Sequence, residues 1–358
     1  MTAKRILMFG WADSVHMQRW CHGMASRGYS IRLISAGGSP LDGIDTVIHP
    51  RTGSLSYLRY ARKAAREARD FNPDLVHVHY VSAFGLWGLL CGPLPMIASV
   101  WGSDIDRKAS GPPAGFITRR TLNRAIHICA TSSFLADLVQ QLDPAFGSKT
   151  TVIPFGVQPP DNLPPTPTAP PVRICFLKTL RPASGSDILI AAMKRAVETE
   201  HDLRLSIAGE GELLTELRRM VSDLGLGQHV EFVGRIEQEE VYPFVSRHHF
   251  MVMPSRREAF GVAALEAAAC ARAVLASDVG GIPEVVRDGD TGILIPPEDS
   301  DKLAAAIVRL ARDANLREKM GQSGREFVKR KYLWDRSLDL MASLYNRIID
   351  ERRTHTAI

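Results

Sequence analysis

The chain of 358 residues is long enough for two domains, since most domains contain about 100–200 residues. Its 45% hydrophobic and 23% charged residues exclude wholesale disorder, while the net charge of +5 is compatible with an anionic partner. The five cysteines are widely spaced and form no Cys-x-x-Cys pair, which argues against a zinc site and favours a reducing, cytoplasmic compartment.

Short apolar runs alternate with longer amphipathic stretches along the chain. In the first half these runs are residues 5–10, 31–35, 75–79, 96–100, 126–131 and 151–154. In the second half they are residues 173–177, 204–208, 230–233, 250–254, 273–277 and 292–295. The alternation is typical of βαβ units, so we predict an α/β protein with two doubly wound domains. Ligands of such sheets bind beyond the carboxyl ends of the strands, and two facing domains predict an active site in the cleft between them.

Two apolar stretches have to be compared with targeting and membrane segments. Residues 6–12 provide only seven apolar residues without a small-residue cleavage site, which predicts a buried first strand rather than a signal peptide. Residues 80–103 carry no charge, but six glycines and prolines interrupt them. A membrane-spanning helix needs about 20 continuous apolar residues, so this segment predicts a short helix, a turn and a strand.

A proline-rich segment divides the chain. Seven of the 14 residues from 158 to 171 are proline, which predicts an extended, semi-rigid linker. It separates an N-terminal domain, residues 1–157, from a C-terminal domain, residues 172–337. The remaining residues, 338–358, begin with apolar side chains at helical spacing, so we expect a C-terminal helix that packs back across both domains.

The segment from residue 250 to 269 contains the most informative pattern of polar residues. A strand ends at Pro254, a polar loop follows, and a helix begins near Gly261. The first turn of a helix has unpaired N–H groups and a partial positive charge, and a glycine lets an anion approach closely. Glu258 and Glu266 flank this helix start, so the segment suits a ligand with hydroxyl groups at both ends and a diphosphate between them. The alternative is that both glutamates are solvated.

The pattern E-A-F-G-V-x-x-L-E-A at residues 258–267 and the sequence G-G-I-P-E at 280–284 resemble the signature of the glycosyltransferase group 1 family. The resemblance continues at residues 207–211, 232–234 and 288–292 and covers most of the C-terminal half. It implies retaining, nucleotide-sugar-dependent transferases of GT-B architecture, with two Rossmann-like domains facing a cleft.

The resemblance also implies residue roles on the donor side. Glu258 is expected to contact hydroxyl groups of the donor sugar and Glu266 to bind the ribose. The backbone of Phe260, Gly261 and Val262 is expected to hold the distal phosphate and the sugar. The loop of Gly234, Arg235 and Ile236 is expected to lie against the base.

One phosphate-binding motif of the family is altered in this chain. Relatives usually have G-R-L-x-x-x-K-G after the first strand of this domain, whereas this chain has Thr179 and Ser184 at the arginine and lysine positions. Lys178 is the nearest remaining cation, and we expect it to act as a point charge on the leaving phosphate. The alternative is a surface lysine.

The N-terminal half resembles the family less closely. Residues 77–80 and 99–104 are similar to those of bacterial surface-polysaccharide glycosyltransferases. Many relatives have a double glycine after the first strand, which this chain lacks, and a histidine near the reacting sugar at the position of Trp101. We expect Asp104 to substitute for that histidine in catalysis. The expected acceptor-side residues are Asp13, Ser14, His16 and Trp101.

Other motifs support different functions only weakly. Asp104 and Asp106 form a D-x-D pattern, but the resemblance implies metal-independent catalysis, so we predict no metal site. The pairs His77/His79 and His248/His249 lack an evident third ligand. Residues 209–211 lack the third glycine of the dinucleotide-binding fingerprint, which disfavours a dehydrogenase.

Basic residues concentrate between positions 51 and 69, a segment that contains six basic residues and only one acidic residue. On a helix, Arg59, Arg62, Lys63 and Arg66 fall on one side, while Leu58, Ala61, Ala65 and Ala68 lie on another and can dock on the sheet. No nucleic-acid motif accompanies the basic residues, so we expect no nucleic-acid partner. The alternatives are an anionic membrane surface and an ordinary solvated face.

Together with the resemblance, these observations predict a retaining glycosyltransferase that moves a hexose from a nucleotide diphosphate sugar to a hydroxyl of a glycan or lipid-linked acceptor. UDP-sugars are the favoured donors and GDP-sugars the second candidates. We expect it to need no cofactor, to act in bacterial cell-surface polysaccharide biosynthesis, and to be cytoplasmic, with peripheral attachment to the inner membrane face. The alternatives are a GT-B sugar-nucleotide epimerase or phosphorylase and, from another class, a non-catalytic membrane-surface binding protein.

Overall fold

Parallel strands form two sheets in the computed structural model, which describes residues 3–51, 53, 56–105, 112–162, 164, 166–168 and 170–356. The chain divides into two compact units. The first unit contains residues 1–155 and 335–358, and the second contains residues 156–334. The strand pairs of both sheets are parallel, which confirms the predicted α/β class with two Rossmann-like domains.

The strands of each sheet follow the doubly wound pattern. The first sheet contains β1 (Arg5–Phe9), β2 (Ser30–Ala36), β3 (Asp45–His49), β4 (Leu75–His79), β5 (Met96–Val100), β6 (His127–Ala130) and β7 (Thr150–Val152), in the spatial order β3-β2-β1-β4-β5-β6-β7. The second sheet contains β8 (Val172–Leu177), β9 (Leu203–Ala208), β10 (Val230–Gly234), β11 (Phe250–Met253), β12 (Ala273–Ser277) and β13 (Gly292–Ile295), in the order β10-β9-β8-β11-β12-β13.

The helices connect these strands. In chain order they are α1 (Val15–Ala25), α2 (Ser56–Phe71), α3 (Val81–Leu89), α4 (Pro112–Arg124), α5 (Ser133–Leu142), α6 (Pro144–Gly147), α7 (Ser186–Thr199), α8 (Leu214–Asp223), α9 (Val241–Ser246), α10 (Val262–Ala269), α11 (Ile282–Val285), α12 (Ser300–Arg312), α13 (Ala314–Lys331) and α14 (Trp334–Thr356). Two short 3-10 turns lie at Pro182–Ser184 and Gln238–Glu240.

Each apolar run of the sequence forms a strand, and β4 and β5 are buried along their whole length, as central strands of parallel sheets are. Strand β3 was missed. It lies at the edge of the first sheet and buries only His49 fully, so its sequence carries little apolar signal. The uncharged segment from residue 80 to 103 forms α3 and β5, as predicted. Among the residues that the structure describes, no helix is long and apolar enough to cross a membrane.

Helix α14 packs within the first unit from Asp335 onward. The apolar residues at helical spacing are buried: Leu338, Met341, Leu344, Tyr345 and Ile348. The hydroxyl of Tyr345 is 2.5 Å from Nδ1 of His77 on β4, and the other ring nitrogen of His77 is 2.7 Å from Oγ of Ser99 on β5. The C-terminal helix is therefore hydrogen-bonded to the centre of the first sheet.

Helix α2 buries a slightly different face from the one predicted. Ala61, Ala65 and Ala68 are buried, and Ala64 is buried beside them, whereas Leu58 is 66% exposed. At 100° per residue, Leu58 lies about 70° from the centre of the alanine face and borders the basic side of the helix.

The proline-rich segment is attached to the second unit. Buried Arg272, at the start of β12, donates hydrogen bonds to Oγ1 of Thr166 at 3.0 Å and to the carbonyl oxygen of Pro164 at 3.4 Å. The same guanidinium also bonds the carbonyl oxygens of Ser246 and His248. These bonds compensate the cost of burying a cation and fasten the segment to the body of this unit.

Candidate functional site

The strand order of the second sheet changes direction between β8 and β11, and such switch points are where doubly wound sheets bind ligands. Lys178 directly follows β8, and Ser255 and Glu258 lie in the loop after β11. The Lys178 ammonium forms an ion pair with the Glu258 carboxylate and donates a hydrogen bond to Oγ of Ser255 at 2.9 Å. The side chains of Lys178 and Glu258 keep 15% and 20% of their surface exposed, so a ligand can reach this pair.

Helix α10 begins beside this ion pair. Its N-cap is Gly261, whose φ of 104° lies in the left-handed region that favours glycine. The chain from Glu258 to Gly261 is therefore a loop and the helix starts directly after it, as the sequence predicted. The first hydrogen bonds of this helix are donated by Ala264 and Leu265 to the carbonyl oxygen of Gly261, at 3.1 and 3.3 Å. The N–H groups of Val262 and Ala263 precede these bonds, so this end of α10 is electropositive, and it lies beside Glu258 of the ion pair.

Glu266 lies one turn further along α10 and is only 6% exposed. Its carboxylate accepts a hydrogen bond from Nε2 of Gln238 at 3.2 Å. Gln238 follows the β10 loop, in which Gly234 has a φ of 84° and Arg235 and Glu237 are exposed and paired at 3.4 Å. The expected ribose and base residues thus lie on adjoining elements of the second unit.

Two glycines of the family signature act by allowing close backbone contacts. A Cβ on Gly209 would lie 2.0 Å from the carbonyl oxygen of Lys178, and one on Gly281 would lie 2.3 Å from that of Ala259. Larger residues would push away the loops that carry Lys178 and Glu258. The signatures at 207–211 and 280–284 therefore shape the site through the backbone.

The altered phosphate motif supplies no cation in its usual positions. Ser184 is fully buried, and its hydroxyl donates a hydrogen bond to the carbonyl oxygen of Arg181, while Thr179 is exposed and uncharged. This loop is instead fixed by Arg256, which forms two hydrogen bonds of 2.7 and 2.6 Å with the carboxylate of Asp187 at the start of α7. Sequence reasoning missed Arg256, Ser255 and Gln238, because their partners are distant in the chain.

The predicted acceptor-side residues lie at the carboxyl edge of the first sheet. Asp13 and Ser14 precede α1, and the His16 ring stacks on Phe155 with centroids 4.0 Å apart. Trp101 follows β5, and its ring centroid is 6.1 Å from that of His16. Burial and the Arg19 charge lower the pKa of His16 to about 4, so this histidine is neutral at physiological pH.

Asp104 is buried and holds the loop after β5. Its Oδ1 accepts hydrogen bonds from the N–H groups of Trp101 at 3.1 Å and Gly102 at 2.8 Å, and Oδ2 accepts one from Val81 at 3.2 Å. With 1% of its surface exposed, the carboxylate is not open to a substrate. This geometry corrects the expectation that Asp104 meets the reacting sugar, since its oxygens already satisfy the backbone at the start of α3.

We expect Asp104 to leave a signature in the pH dependence of stability. Burial raises its pKa from 3.8 to about 6, against the opposing hydrogen bonds from Gly102, Trp101 and Val81. The native state therefore binds an extra proton between these pH values, and the Asp104 contribution to the free energy of unfolding falls as pH rises through that window. From pH 4 to 7, wild type should therefore lose about 2 kcal/mol of unfolding free energy relative to Asp104→Asn, measured by denaturant titration at each pH.

The matched control for this measurement is Asp13→Asn, which changes an exposed aspartate of the same unit. Its stability should run parallel to that of wild type over the same range. Parallel curves for Asp104→Asn as well would show that the buried carboxyl group does not titrate as inferred.

Among the residues that the structure describes, no group of three or more His, Cys, Asp or Glu side chains is arranged to hold a metal ion. His248 bonds the carbonyl oxygen of Phe244 and Oγ of Ser206, and His249 accepts a hydrogen bond from the backbone of Arg173. Asp106, the second member of the D-x-D pattern, lies outside the described residues.

Comparison with known proteins identifies relatives of both halves of the chain. The family described as glycosyl transferases group 1 matches residues 166–327, and the family described as glycosyl transferase 4-like matches residues 5–132. An uncharacterized glycosyltransferase of Methanocaldococcus jannaschii is 30% identical over 83% of this chain and 82% of its own length. The GDP-mannose-dependent alpha-(1-6)-phosphatidylinositol monomannoside mannosyltransferase of Mycolicibacterium smegmatis is 30% identical over 82% of this chain and 81% of its own.

Solved structures show the same fold at lower sequence identity. Sucrose-phosphate synthase from Thermosynechococcus elongatus aligns with a TM-score of 0.84 at 21% identity, over 97% of this chain and all of its own. Anabaena HepE, solved in complex with UDP and glucose, aligns with a TM-score of 0.80 at 18% identity, over 95% of this chain and 98% of its own. The chain therefore has the GT-B fold of these structures.

Proposed function

Because this chain belongs to the glycosyltransferase group 1 family, whose members transfer sugars from nucleotide sugars, we propose a retaining transferase that moves a hexose to a hydroxyl of a glycan or lipid-linked acceptor in cell-surface polysaccharide biosynthesis. UDP-hexose is the favoured donor. GDP-mannose is the second candidate, because the relative from Mycolicibacterium smegmatis is a GDP-mannose-dependent mannosyltransferase.

The ion pair of Lys178 and Glu258 at the β8/β11 switch point is the observation that carries this proposal. A nucleotide diphosphate sugar could bind both Lys178 and Glu258. Its distal phosphate attracts the Lys178 ammonium and the electropositive start of α10, while hydroxyl groups of its sugar donate hydrogen bonds to Glu258. The Glu266 carboxylate would bind the ribose hydroxyls by displacing Gln238.

The proposed reaction is a substitution on one face of the sugar ring. The bond between the anomeric carbon and the distal phosphate oxygen breaks as the acceptor oxygen bonds to the same face of that carbon. The acceptor proton passes to the leaving phosphate. Lys178 and the first-turn N–H groups of α10 stabilise the negative charge that grows on this phosphate, so catalysis rests on positioning and electrostatics.

We propose that these groups replace a divalent metal on the diphosphate, so transfer should persist in chelator. The test is proton NMR of reactions that contain UDP-glucose, UDP-galactose, UDP-N-acetylglucosamine or GDP-mannose, methyl pyranosides as acceptors and excess EDTA. The expected product keeps the α configuration of the donor. An inverted product, or full loss that added Mg²⁺ or Mn²⁺ restores, would contradict the proposal. Conversion of a donor to its epimer without acceptor would favour the epimerase.

We further propose that the basic face of α2 attaches the enzyme to anionic membranes. Arg59, Arg62, Lys63 and Arg66 are exposed on this face, and Leu58 borders it with 66% of its surface exposed. Each cation near an anionic bilayer contributes about 1 kcal/mol, and an exposed leucine can add apolar contact with the lipid. Lys63 has only a weak competing contact, 3.9 Å from Glu67.

We predict that the protein sediments with phosphatidylglycerol-containing vesicles at low salt and not with pure phosphatidylcholine vesicles. Salt should release it, because surface charges are screened within about 8 Å at physiological ionic strength. Changing Arg59, Arg62, Lys63 and Arg66 to Ser should abolish sedimentation, whereas the same change at Arg309 and Arg312 of α12 should not. If the protein sediments equally with both vesicle types, or with neither, the basic face of α2 is an ordinary solvent-exposed face and does not bind membranes.

A further inference from the structure

The first sheet has its own switch point, between β1 and β4, and aromatic side chains occupy it. Trp11 lies two residues after β1, and Tyr80 directly follows β4. Their ring centroids are 4.4 Å apart, and the ring planes are inclined by 55°. The two rings are therefore tilted against each other and do not form a parallel stack.

A third ring extends this surface. Nε1 of Trp11 donates a hydrogen bond to Oη of Tyr57 at 2.8 Å, and the guanidinium carbon of Arg51 lies 5.6 Å from the centre of the indole. Trp11, Tyr57 and Tyr80 are each half-buried, so part of each side chain remains accessible. We call these three residues the aromatic shelf.

The backbone at Tyr80 is strained to hold its ring in the shelf. Its φ of 61° lies in the left-handed region, which tyrosine rarely occupies. The ring contact with Trp11 and a hydrogen bond between the hydroxyls of Tyr80 and Ser103 retain this conformation. Strained residues of this kind concentrate at binding sites, where the surrounding structure maintains them for a purpose.

The two switch points of the chain differ in chemistry. The β8/β11 switch point presents the charged groups of Lys178 and Glu258, which suit a diphosphate and the hydroxyls of a donor sugar. The β1/β4 switch point presents rings with hydroxyl and indole N–H groups at their edges. An aromatic face attracts the slightly positive C–H face of a pyranose ring. The indole N–H is already bonded to Tyr57, but the Tyr57 hydroxyl accepts that bond and can donate its own proton to a hydroxyl of the sugar.

We propose that the aromatic shelf binds a pyranose ring of the acceptor. This inference rests on the proposed function, in which the second unit takes both the nucleotide and the donor sugar, and it specifies the acceptor as a glycan.

The test compares acceptor kinetics for a variant that keeps an aromatic ring at position 11 and one that replaces it with an aliphatic side chain. The acceptors are the methyl α-pyranosides of mannose, glucose, galactose and N-acetylglucosamine, with L-malate and glycerol as acceptors that lack a ring. We expect transfer to a pyranoside, and a KM for that acceptor that rises about tenfold or more in Trp11→Leu but changes little in Trp11→Phe. The KM for the donor should be unchanged in both variants.

Phe116→Ala, which removes a 63% exposed ring from α4 of the same unit, is the matched control and should behave as wild type. An unchanged acceptor KM in Trp11→Leu, equal effects of Trp11→Leu and Trp11→Phe, or transfer to L-malate or glycerol but to no pyranoside would overturn the inference. Donor binding, followed by the shift in melting temperature with each nucleotide sugar, reports on the proposed function separately. Retained donor binding with any of these results would leave that function intact.

Discussion

Replacing Glu258 with alanine should lower kcat for sugar transfer by about 10³-fold or more, which corresponds to about 4 kcal/mol of transition-state stabilisation. The carboxylate is accessible and lies beside Lys178 and the start of α10, where we propose that the reacting sugar is held. Its contacts to the sugar hydroxyls position the anomeric carbon. Nucleotide affinity should survive, because Glu258 has no proposed contact with the nucleoside.

The control for this prediction is Glu326→Ala, which removes an exposed glutamate from α13 of the same unit and should leave kcat unchanged. Melting curves of both variants test whether the fold is retained. A Glu258→Ala enzyme with kcat within a factor of a few of wild type would mean that the donor sugar lies elsewhere.

The second large effect is expected for Lys178→Met, which keeps the length of the side chain but removes its charge. We expect kcat to fall by about 10²–10³-fold, since the ammonium lies at the β8/β11 switch point, where we propose that it stabilises the charge that grows on the leaving phosphate in the transition state. Lys178→Arg should recover only part of the activity, because a guanidinium is broader than an ammonium and has a different hydrogen-bonding geometry.

The double variant separates catalysis from simple loss of the ion pair. If Lys178 and Glu258 position one donor together, the combined loss in Lys178→Met/Glu258→Ala should be smaller than the product of the two single losses. Lys329→Met, on the exposed face of α13, should show no loss. Full activity of Lys178→Met would return this residue to the role of a surface lysine.

The sheets could be predicted from the sequence because strands buried on both faces are nearly continuous apolar runs. Strand β4 illustrates this, since Leu75 to His79 is buried throughout and its predicted bounds agree with the structure. Strand β3 also pairs in parallel with its neighbour, but its sequence is not a continuous apolar run, because an edge strand is poorly buried on one side. The exposure of Leu58 was also mispredicted, since a small rotation of a helix decides whether a residue at the border of its apolar face is buried or exposed.

The donor side was more accessible to sequence reasoning than the rest of the site. Lys178, Glu258 and Glu266 were named from a strand end, a helix start and the resemblance, and the structure places them on adjoining elements of one unit. Gln238 and Ser255 were not named, because their contacts with Glu266 and Lys178 join segments far apart in the sequence.

Asp104 shows most clearly why a buried carboxylate is difficult to interpret from sequence. A conspicuous aspartate after a central strand suggested catalysis, but three backbone N–H groups of two loops converge on it. That convergence depends on the path of the backbone, to which residue spacing gives no access. The aromatic shelf escaped notice for the same reason, since Trp11, Tyr57 and Tyr80 come from three separate segments.

Calorimetric titration of UDP and GDP in chelator is the most direct test of the proposed donor site. We predict that one nucleotide binds per chain and that Glu266→Ala weakens the preferred nucleotide by about 1–3 kcal/mol, or roughly 5–150-fold in Kd, because a charged hydrogen bond to the ribose is lost. Glu326→Ala should bind as wild type does. Failure of both nucleotides to bind wild type, or equal affinities for wild type and Glu266→Ala, would contradict the assignment of the donor site to the β8/β11 switch point.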